Sequence, residues 1–221
     1  MIEVLNIEKS YGNEKVLKGV SLKILDGEFV SIMGKSGSGK STLLNILAGF
    51  LTADSGEVLW DGEEISSFSG DKMASLRSSK MGFVFQSFKL IPTLNVKDNL
   101  LLTATLGKKA NAKTLAYVEE LAERLGISDM LKKFPDELSG GQRQRCAIIR
   151  ALAYKPSVII LDEPTGALDS VMESTVMDLL TEINKALGTT VIQVTHSKRV
   201  AEYGSRIITL KDGEIQDEAV L

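Results

Sequence analysis

The sequence predicts an α/β fold on a mostly parallel sheet, with an antiparallel β-rich part at the N-terminus and a helical insertion at about 94–153. Three observations predict it. The short, nearly all-apolar segments FVSIM, MGFVFQ, SVIILDE and TTVIQVTH read as strands buried on both faces, the habit of parallel sheets. Helical sequence separates these strands, which is the alternation of an α/β domain. The stretch GKSGSGKST, Gly34 to Thr42, directly follows the first of them and fits G-x-x-x-x-G-K-[ST], a loop that joins a strand to a helix.

Each element has its own signal. MIEVLNI, then VLKGVSLKI with alternating Val20, Leu22 and Ile24, and later GEVLWDG ending in a turn, read as the strands of one β-rich face. STLLNILAGF starts a helix at the end of the glycine-rich loop. KTLAYVEELAERLGI places Leu115, Val118, Leu121 and Leu125 at helical spacing and stops at Gly126. Pro92, Pro135, Pro156 and Pro164 fall between elements, where a residue without an N–H is tolerated. With no repeat, low-complexity tract or long linker, residues 1–221 read as a single domain.

Composition narrows the function classes. A hydrophobic share of 43% and a charged share of 25% are those of a globular protein with a real core. The formal charge of -3 is scattered, which argues against a dedicated nucleic-acid surface. The one cysteine, Cys146, excludes an internal disulfide and reads as a small buried hydrophobe in a reducing compartment. No apolar run reaches the roughly 20 residues that span a bilayer, and MIEVLNIEKS lacks the plan of a signal peptide. Action on a membrane would then need a partner.

The chemistry starts at the glycine-rich loop. Backbone amides in such a turn, at a helix N-terminus, make a pocket of partial positive charge that side chains would obstruct. Lys40 is expected to reach the β- and γ-phosphates of a nucleotide, and the Ser41 hydroxyl to ligate Mg²⁺. SVIILDEP places Asp162 at the C-terminal end of a buried strand, where an open parallel sheet binds its ligands, so Asp162 is a second Mg²⁺ ligand. Glu163 follows at once and could accept a proton from water attacking the γ-phosphate. Ser139, Gly140 and Gly141 repeat the physics of the loop, opening a further helix whose amides point at anionic oxygen.

LSGGQRQR, Leu138 to Arg145, joined to this loop and this acidic strand end, resembles the nucleotide-binding subunits of ATP-binding cassette (ABC) transporters, and the resemblance runs from Ile2 to about Glu218. It implies a phosphate-loop ATPase core, ATP and Mg²⁺ as cofactors, and ATP hydrolysis. Tyr11 then corresponds to the aromatic that stacks on adenine, and Gly34, Ser36, Gly37, Ser38, Gly39, Lys40, Ser41 and Thr42 to the phosphate loop. Gln86, at the end of MGFVFQ, matches the glutamine that reaches Mg²⁺ and the attacking water. His196, the only histidine, matches the one that contacts the γ-phosphate. Lys40, Gln86, Glu163 and His196 are accordingly the catalytic set. The resemblance further implies a head-to-tail homodimer in which Ser139, Gly140, Gly141 and Gln142 of one subunit close over ATP held by the other, with Asp169 of GALD in the loop that crosses between them.

Within the family, EISSFSGDKMASLRSSKMGFVFQSFKLIPTLNVKDNL and EPTGALDS resemble the group containing LolD, MacB, FtsE and the antimicrobial-peptide resistance ATPases. Lys89 and RQR depart from the Asn and QQR frequent there. That group implies an integral membrane permease partner with a large extracytoplasmic domain, a place on the cytoplasmic face of the membrane, and export, extraction or mechanotransmission as the work done. The ATPase of an amino-acid-type importer is the alternative. A cassette acting on nucleic acid or ribosomes fits less well, because the chain has neither an inserted coiled coil nor a second cassette.

Overall fold

Strands and helices follow one another as β1 (Ile2–Tyr11), β2 (Glu14–Ile24), β3 (Phe29–Met33), α1 (Lys40–Leu47), β4 (Ser55–Trp60), β5 (Glu63–Glu64), α2 (Gly70–Lys80), β6 (Met81–Val84), α3 (Val96–Leu106), α4 (Ala112–Arg124), α5 (Gly140–Leu152), β7 (Val158–Asp162), α6 (Ser170–Leu187), β8 (Thr190–Thr195), α7 (Lys198–Ala201), β9 (Arg206–Lys211) and β10 (Glu214–Val220). The computed structural model describes residues 1–221. Two sheets result. The first is antiparallel in the order β2-β1-β4-β5, and the second has the order β10-β9-β3-β8-β7-β6. In the second, β3 pairs in parallel with β8 and β9, and β7 with β8 and β6, while β10 is antiparallel to β9.

The parallel strands are buried on both faces for the reason their composition gives. On one face Val30, Ile32, Ile160, Ile192 and Val194 pack with α1 and with the inward residues of the antiparallel sheet. On the other, Ile159, Leu161 and Val191 pack against α3, α4, α5 and α6. The mixed sheet is therefore a wall between two cores, and the phosphate loop emerges at its edge between β3 and α1.

Between β6 and β7 the chain is helical. In α4, Val118, Leu121, Ala122 and Leu125 face the core, and Asn111 caps the start by accepting from Thr114 N at 3.0 Å. Gly126, with φ +62, ends it. Helix α5 is buried almost all round, through Cys146, Ala147, Ile148, Ile149, Ala151 and Leu152. The Cys146 thiol is pushed up to about 12 by that burial, which suits an inert packing residue.

Three elements carry too weak a pattern to be read in sequence. Helix α2 fully buries only Met73, so it has almost no apolar stripe. Strand β10 is exposed along nearly its whole length. Strand β9 becomes a parallel neighbour of β3 only through a long-range pairing, Val30 with Arg206 to Met33 with Thr209.

Gly82 shows how closely the helical segment approaches the sheet. A Cβ there would stand 2.5 Å from the Ala151 carbonyl oxygen and 3.0 Å from Pro156 Cγ. Gly82→Ala must therefore separate β6 from the end of α5, a cost of about 1–3 kcal/mol. Thermal unfolding of this variant is expected to show Tm lowered by roughly 3–10 °C.

Candidate active site

The phosphate loop is set by its glycines and its lysine. Gly39 is the N-cap of α1 with φ 98, and a Cβ on it would lie 2.7 Å from Leu17 Cδ2 and 2.9 Å from Val16 O. The left-handed turn and the close approach of β2 both require glycine there. Lys40 Nζ donates to Gly34 O at 2.8 Å and Lys35 O at 2.9 Å, so the ammonium is held in the mouth of the loop by two backbone carbonyls. The Ser38 hydroxyl is buried inside the loop without a partner, so a polar atom here is unsatisfied by the protein alone.

A cleft of about 810 Å³ runs over this loop. Tyr11, Glu14 and Val16 line one part; Lys35, Ser36, Gly37, Gly39, Lys40, Ser41 and Thr42 form the loop; Gln86, Glu163, Gly166 and His196 complete it. Tyr11 is 53% exposed at the rim of the cleft. Glu14, Val16 and Gly166 were not anticipated. Tyr11 and Glu14 are register partners across the β1–β2 hairpin, so the hairpin pattern around Gly12 was the signal that could have found Glu14.

Behind the loop, Ser41 Oγ donates to Asp162 Oδ1 at 3.0 Å. Burial raises the Asp162 carboxyl above its ordinary value, with the Glu163 charge adding to the effect, while the Ser41 hydrogen bond and Lys40 oppose it. A hydroxyl and an oxygen of a desolvated carboxylate side by side fit Mg²⁺. No cluster of three His, Cys, Asp or Glu side chains exists, so a cation here would complete its shell with groups such as the Gln86 carboxamide, phosphate and water.

Glu163 has φ 50, a left-handed conformation uncommon outside glycine. Its amide donates to Val194 O at 3.1 Å, which fixes the turn against the end of β8. His196 Nδ1 lies 3.0 Å from Glu163 Oε1, with His196 72% exposed. Gln86 stands two residues beyond the end of β6, on the turn rather than in the strand. The following residues Phe88 and Lys89 have φ 61 and 50, and Arg150 holds their carbonyls at 2.7 and 2.6 Å.

The remaining sequence-derived residues lie outside the cleft. Gly34 and Ser38 form the loop's inner side. Ser139 caps α5: its hydroxyl accepts from Gln142 N at 3.3 Å, and Gln142 Oε1 accepts from Ser139 N at 2.8 Å. The Gln142 carboxamide is thus engaged within its own chain. Because the first bond of this helix runs from Arg143 N to Ser139 O, the Gly140 and Gly141 amides remain at its open end. Asp169 caps α6, accepting from Val171 N at 3.1 Å and Met172 N at 2.9 Å.

A glycine-rich loop at a helix start, a buried strand-end carboxylate against its serine, and a glutamate and histidine facing each other across the same cleft define a phosphate-loop nucleotide hydrolase. The added antiparallel sheet and the SGGQ helix start narrow this to a cassette ATPase. The family model described as ABC transporter matches residues 17–166. The bacitracin export ATP-binding protein BceA of Halalkalibacterium halodurans is 42% identical over 219 residues, 97% of this chain and 87% of that protein. The macrolide export ATP-binding/permease protein MacB of Mannheimia succiniciproducens is 43% identical over 222 residues, 99% of this chain and 34% of that longer protein. A dimeric structure of the MJ0796 cassette of Methanocaldococcus jannaschii in a post-hydrolysis state, bound to ADP and Pi, superposes with TM-score 0.94 at 42% identity, covering 100% of this chain and 99% of that one. The chain belongs to the ABC transporter family. It is an ATP-binding, ATP-hydrolysing cassette of that family, and its export-type relatives do not favour the amino-acid importer reading.

A raised carboxyl pKa has a definite sign in stability. Protonated Asp162 favours the fold, and that contribution is lost as pH rises from the ordinary value of 3.8 through the higher folded value. At pH 7 the ionised, buried carboxylate is a net cost. Asp162→Asn keeps an acceptor for Ser41 and removes the charge, so it is expected to raise Tm of the nucleotide-free protein at pH 7 by a few degrees. That advantage should shrink as pH falls toward the ordinary carboxylate range.

Proposed function

We propose that this chain is the ATPase subunit of a membrane transport or extraction system, residues 1–221 forming one cassette with its helical part at about 94–153, and that it works as a head-to-tail homodimer on the cytoplasmic face of the membrane. One observation carries the dimer: the Gly140–Gly141 helix start, built to receive anionic oxygen, is no part of the cleft around Lys40 in its own chain. Gly141 instead abuts Ala167 and Leu168, beside the Asp169 cap. In the proposed dimer, Ser139, Gly140, Gly141, Gln142 and Asp169 of one subunit face ATP bound by the other.

Within the cleft, Tyr11 stacks on adenine, while the amides from Gly34 to Thr42 hold the β- and γ-phosphates. Lys40 exchanges the Gly34 and Lys35 carbonyls for phosphate oxygen. Ser41 and Asp162, with Gln86 in reach, would hold Mg²⁺, which when bound neutralises charge on the phosphates. Glu163 accepts the proton of the attacking water as the bond to the ADP oxygen breaks, and His196 contacts the γ-phosphate and the Glu163 carboxylate. Glu163→Gln should lower kcat about 10²- to 10⁴-fold, leave ATP binding intact and elute from a sizing column as an ATP-bound dimer. Adding Ser139→Arg to that variant should return it to monomer while nucleotide still binds. A dimer that survives the arginine would overturn the shared site.

The permease is proposed to dock in an apolar cleft of about 550 Å³ next to Lys89. Phe50, Phe83 and Phe85 form an aromatic cluster with centroids 5.1 Å apart for Phe50 and Phe83 and 4.3 Å for Phe83 and Phe85, and Leu106 is 71% exposed. Arg77, Lys89 and Arg150 line it and no acidic residue does, so an apolar segment carrying a carboxylate fits. Within the stretch SFKLIPTLNV that carries Lys89, Phe88 and Leu90 pack on the core and Val96 is buried, so its apolar residues are only partly available. A large extracytoplasmic domain on that permease is part of the same proposal, supported by the likeness of the sequence to the LolD, MacB and FtsE group. Cys146 is fully buried, so single cysteines at Lys89 or Leu106 can be cross-linked selectively. Both are expected to capture the permease, and a cysteine at Glu218 is expected to fail.

A further inference from the structure

His196 must be held in place by something other than its own packing. Its side chain is 72% exposed and its bonding partner is Glu163 Oε1, itself part of the reacting constellation. The backbone is therefore what places the imidazole. One residue after His196, Ser197 caps α7, and α7 is only four residues long. So short a helix has no stability of its own, and tertiary contacts decide where it sits.

Those contacts come from an unusual residue in β8. Gln193 is fully buried in a strand whose neighbours Ile192 and Val194 are apolar, where the pattern of a central parallel strand calls for another hydrophobe. Its Nε2 donates to Val200 O at 2.9 Å and to Ser31 Oγ at 2.8 Å. Ser31, its register partner on β3 and also fully buried, donates its single hydroxyl proton to Ala201 O at 2.8 Å. The hydroxyl must then accept from Gln193, and Val200 offers only an acceptor, so the carboxamide has one orientation. Its Oε1 is left buried and unpaired. Two strand side chains thus grip the last two carbonyls of α7, at the cost of an unsatisfied acceptor that leucine or methionine would not incur. Thr195, on the same face of β8, accepts from Ser197 N at 3.1 Å and fixes the other end.

We propose that Gln193 is a positioning residue for His196: through Ser31, Val200 and Ala201 it clamps α7 to the sheet and so sets the backbone from which the exposed imidazole reaches Glu163 and the γ-phosphate. The proposal rests on the assignment of His196 to the γ-phosphate. Gln193 touches neither ATP nor the reacting atoms. It acts on the reaction only through the loop between β8 and α7.

Gln193→Met keeps the volume and removes the donors, while Ala201 O keeps Ser31 and Gly204 N, and Val200 O keeps Tyr203 N. Tm is expected to move by no more than about 4 °C. For ATP hydrolysis we expect kcat to fall about tenfold with KM changed less than about twofold, as misplacement of a reacting group predicts. In a His196→Ala background the same substitution should change kcat by less than about twofold, because nothing remains to be positioned. Because the chain has a single histidine, the nucleotide-free protein reports directly: the one imidazole Cε1–H signal in the proton NMR spectrum should shift in Gln193→Met and stay in place in Gln144→Met, a buried amide exchange on α5. An unmoved imidazole signal overturns the proposal, as does an equal loss of kcat with and without His196. Full activity of His196→Ala would remove the γ-phosphate assignment, and the NMR result would show separately whether the clamp exists.

Discussion

The hydrogen bond from Ser41 to Asp162 closes the site, and the rest of the cleft is arranged around it. It joins the first turn of α1 to the last residue of β7, two places 121 positions apart in the chain. A carboxylate at that point is costly, because the strand end is buried and Glu163 adds a second negative charge beside it. The glycine-rich loop, the helix start and Lys40 are the positive features that make the position tenable. The architecture thus sets the desolvation of one carboxylate against the Ser41 hydroxyl and the Lys40 ammonium beside it.

Some departures from relaxed structure flank this point, while others, such as left-handed Asn6, Asp61 and Asp212, lie elsewhere in the fold. Glu163 is left-handed, as are Phe88 and Lys89 beyond Gln86, and the buried Ser38 hydroxyl and Gln193 carbonyl lack partners. Each costs stability without serving the core. Their neighbours show what they do: Glu163 turns its carboxylate toward His196, Arg150 braces the Gln86 turn, and Gln193 holds the helix after His196. Around the cleft, backbone strain and unpaired polar atoms fall where groups have to be aimed.

The two anion-receiving helix starts are built differently. That of α1 ends in a left-handed glycine and keeps its amides for the loop's interior, with lysine in the mouth. That of α5 is closed by a reciprocal Ser139–Gln142 cap and leaves the Gly140 and Gly141 amides outward, on a surface shared with Ala167 and Leu168. The first can organise phosphate alone. The second presents a finished edge, which in the proposed dimer meets the nucleotide of the partner subunit.

Sequence by itself determined the elements whose chemistry is local. The glycine spacing that permits the Gly39 turn, the apolar runs of β3, β6, β7 and β8, the helical face of α4 and the Ser139 cap follow from neighbours a few residues apart, so Gly34 to Thr42, Asp162, Glu163 and Ser139 could be singled out in advance. Tertiary structure decided what depends on distant pairing. Polar, weakly patterned α2 and β10 are stable only against what they pack on, β9 gains its place beside β3 by a long-range register, and Glu14 and Val16 enter the cleft because the hairpin folds over α1. Gln193 is the plainest case: a glutamine between isoleucine and valine carries no meaning in sequence, and acquires one when β3 sets Ser31 beside it and α7 lays two carbonyls above them. Short-range rules specify which groups the chain possesses, and the closing of the sheet, which costs the most chain entropy, specifies which of them meet.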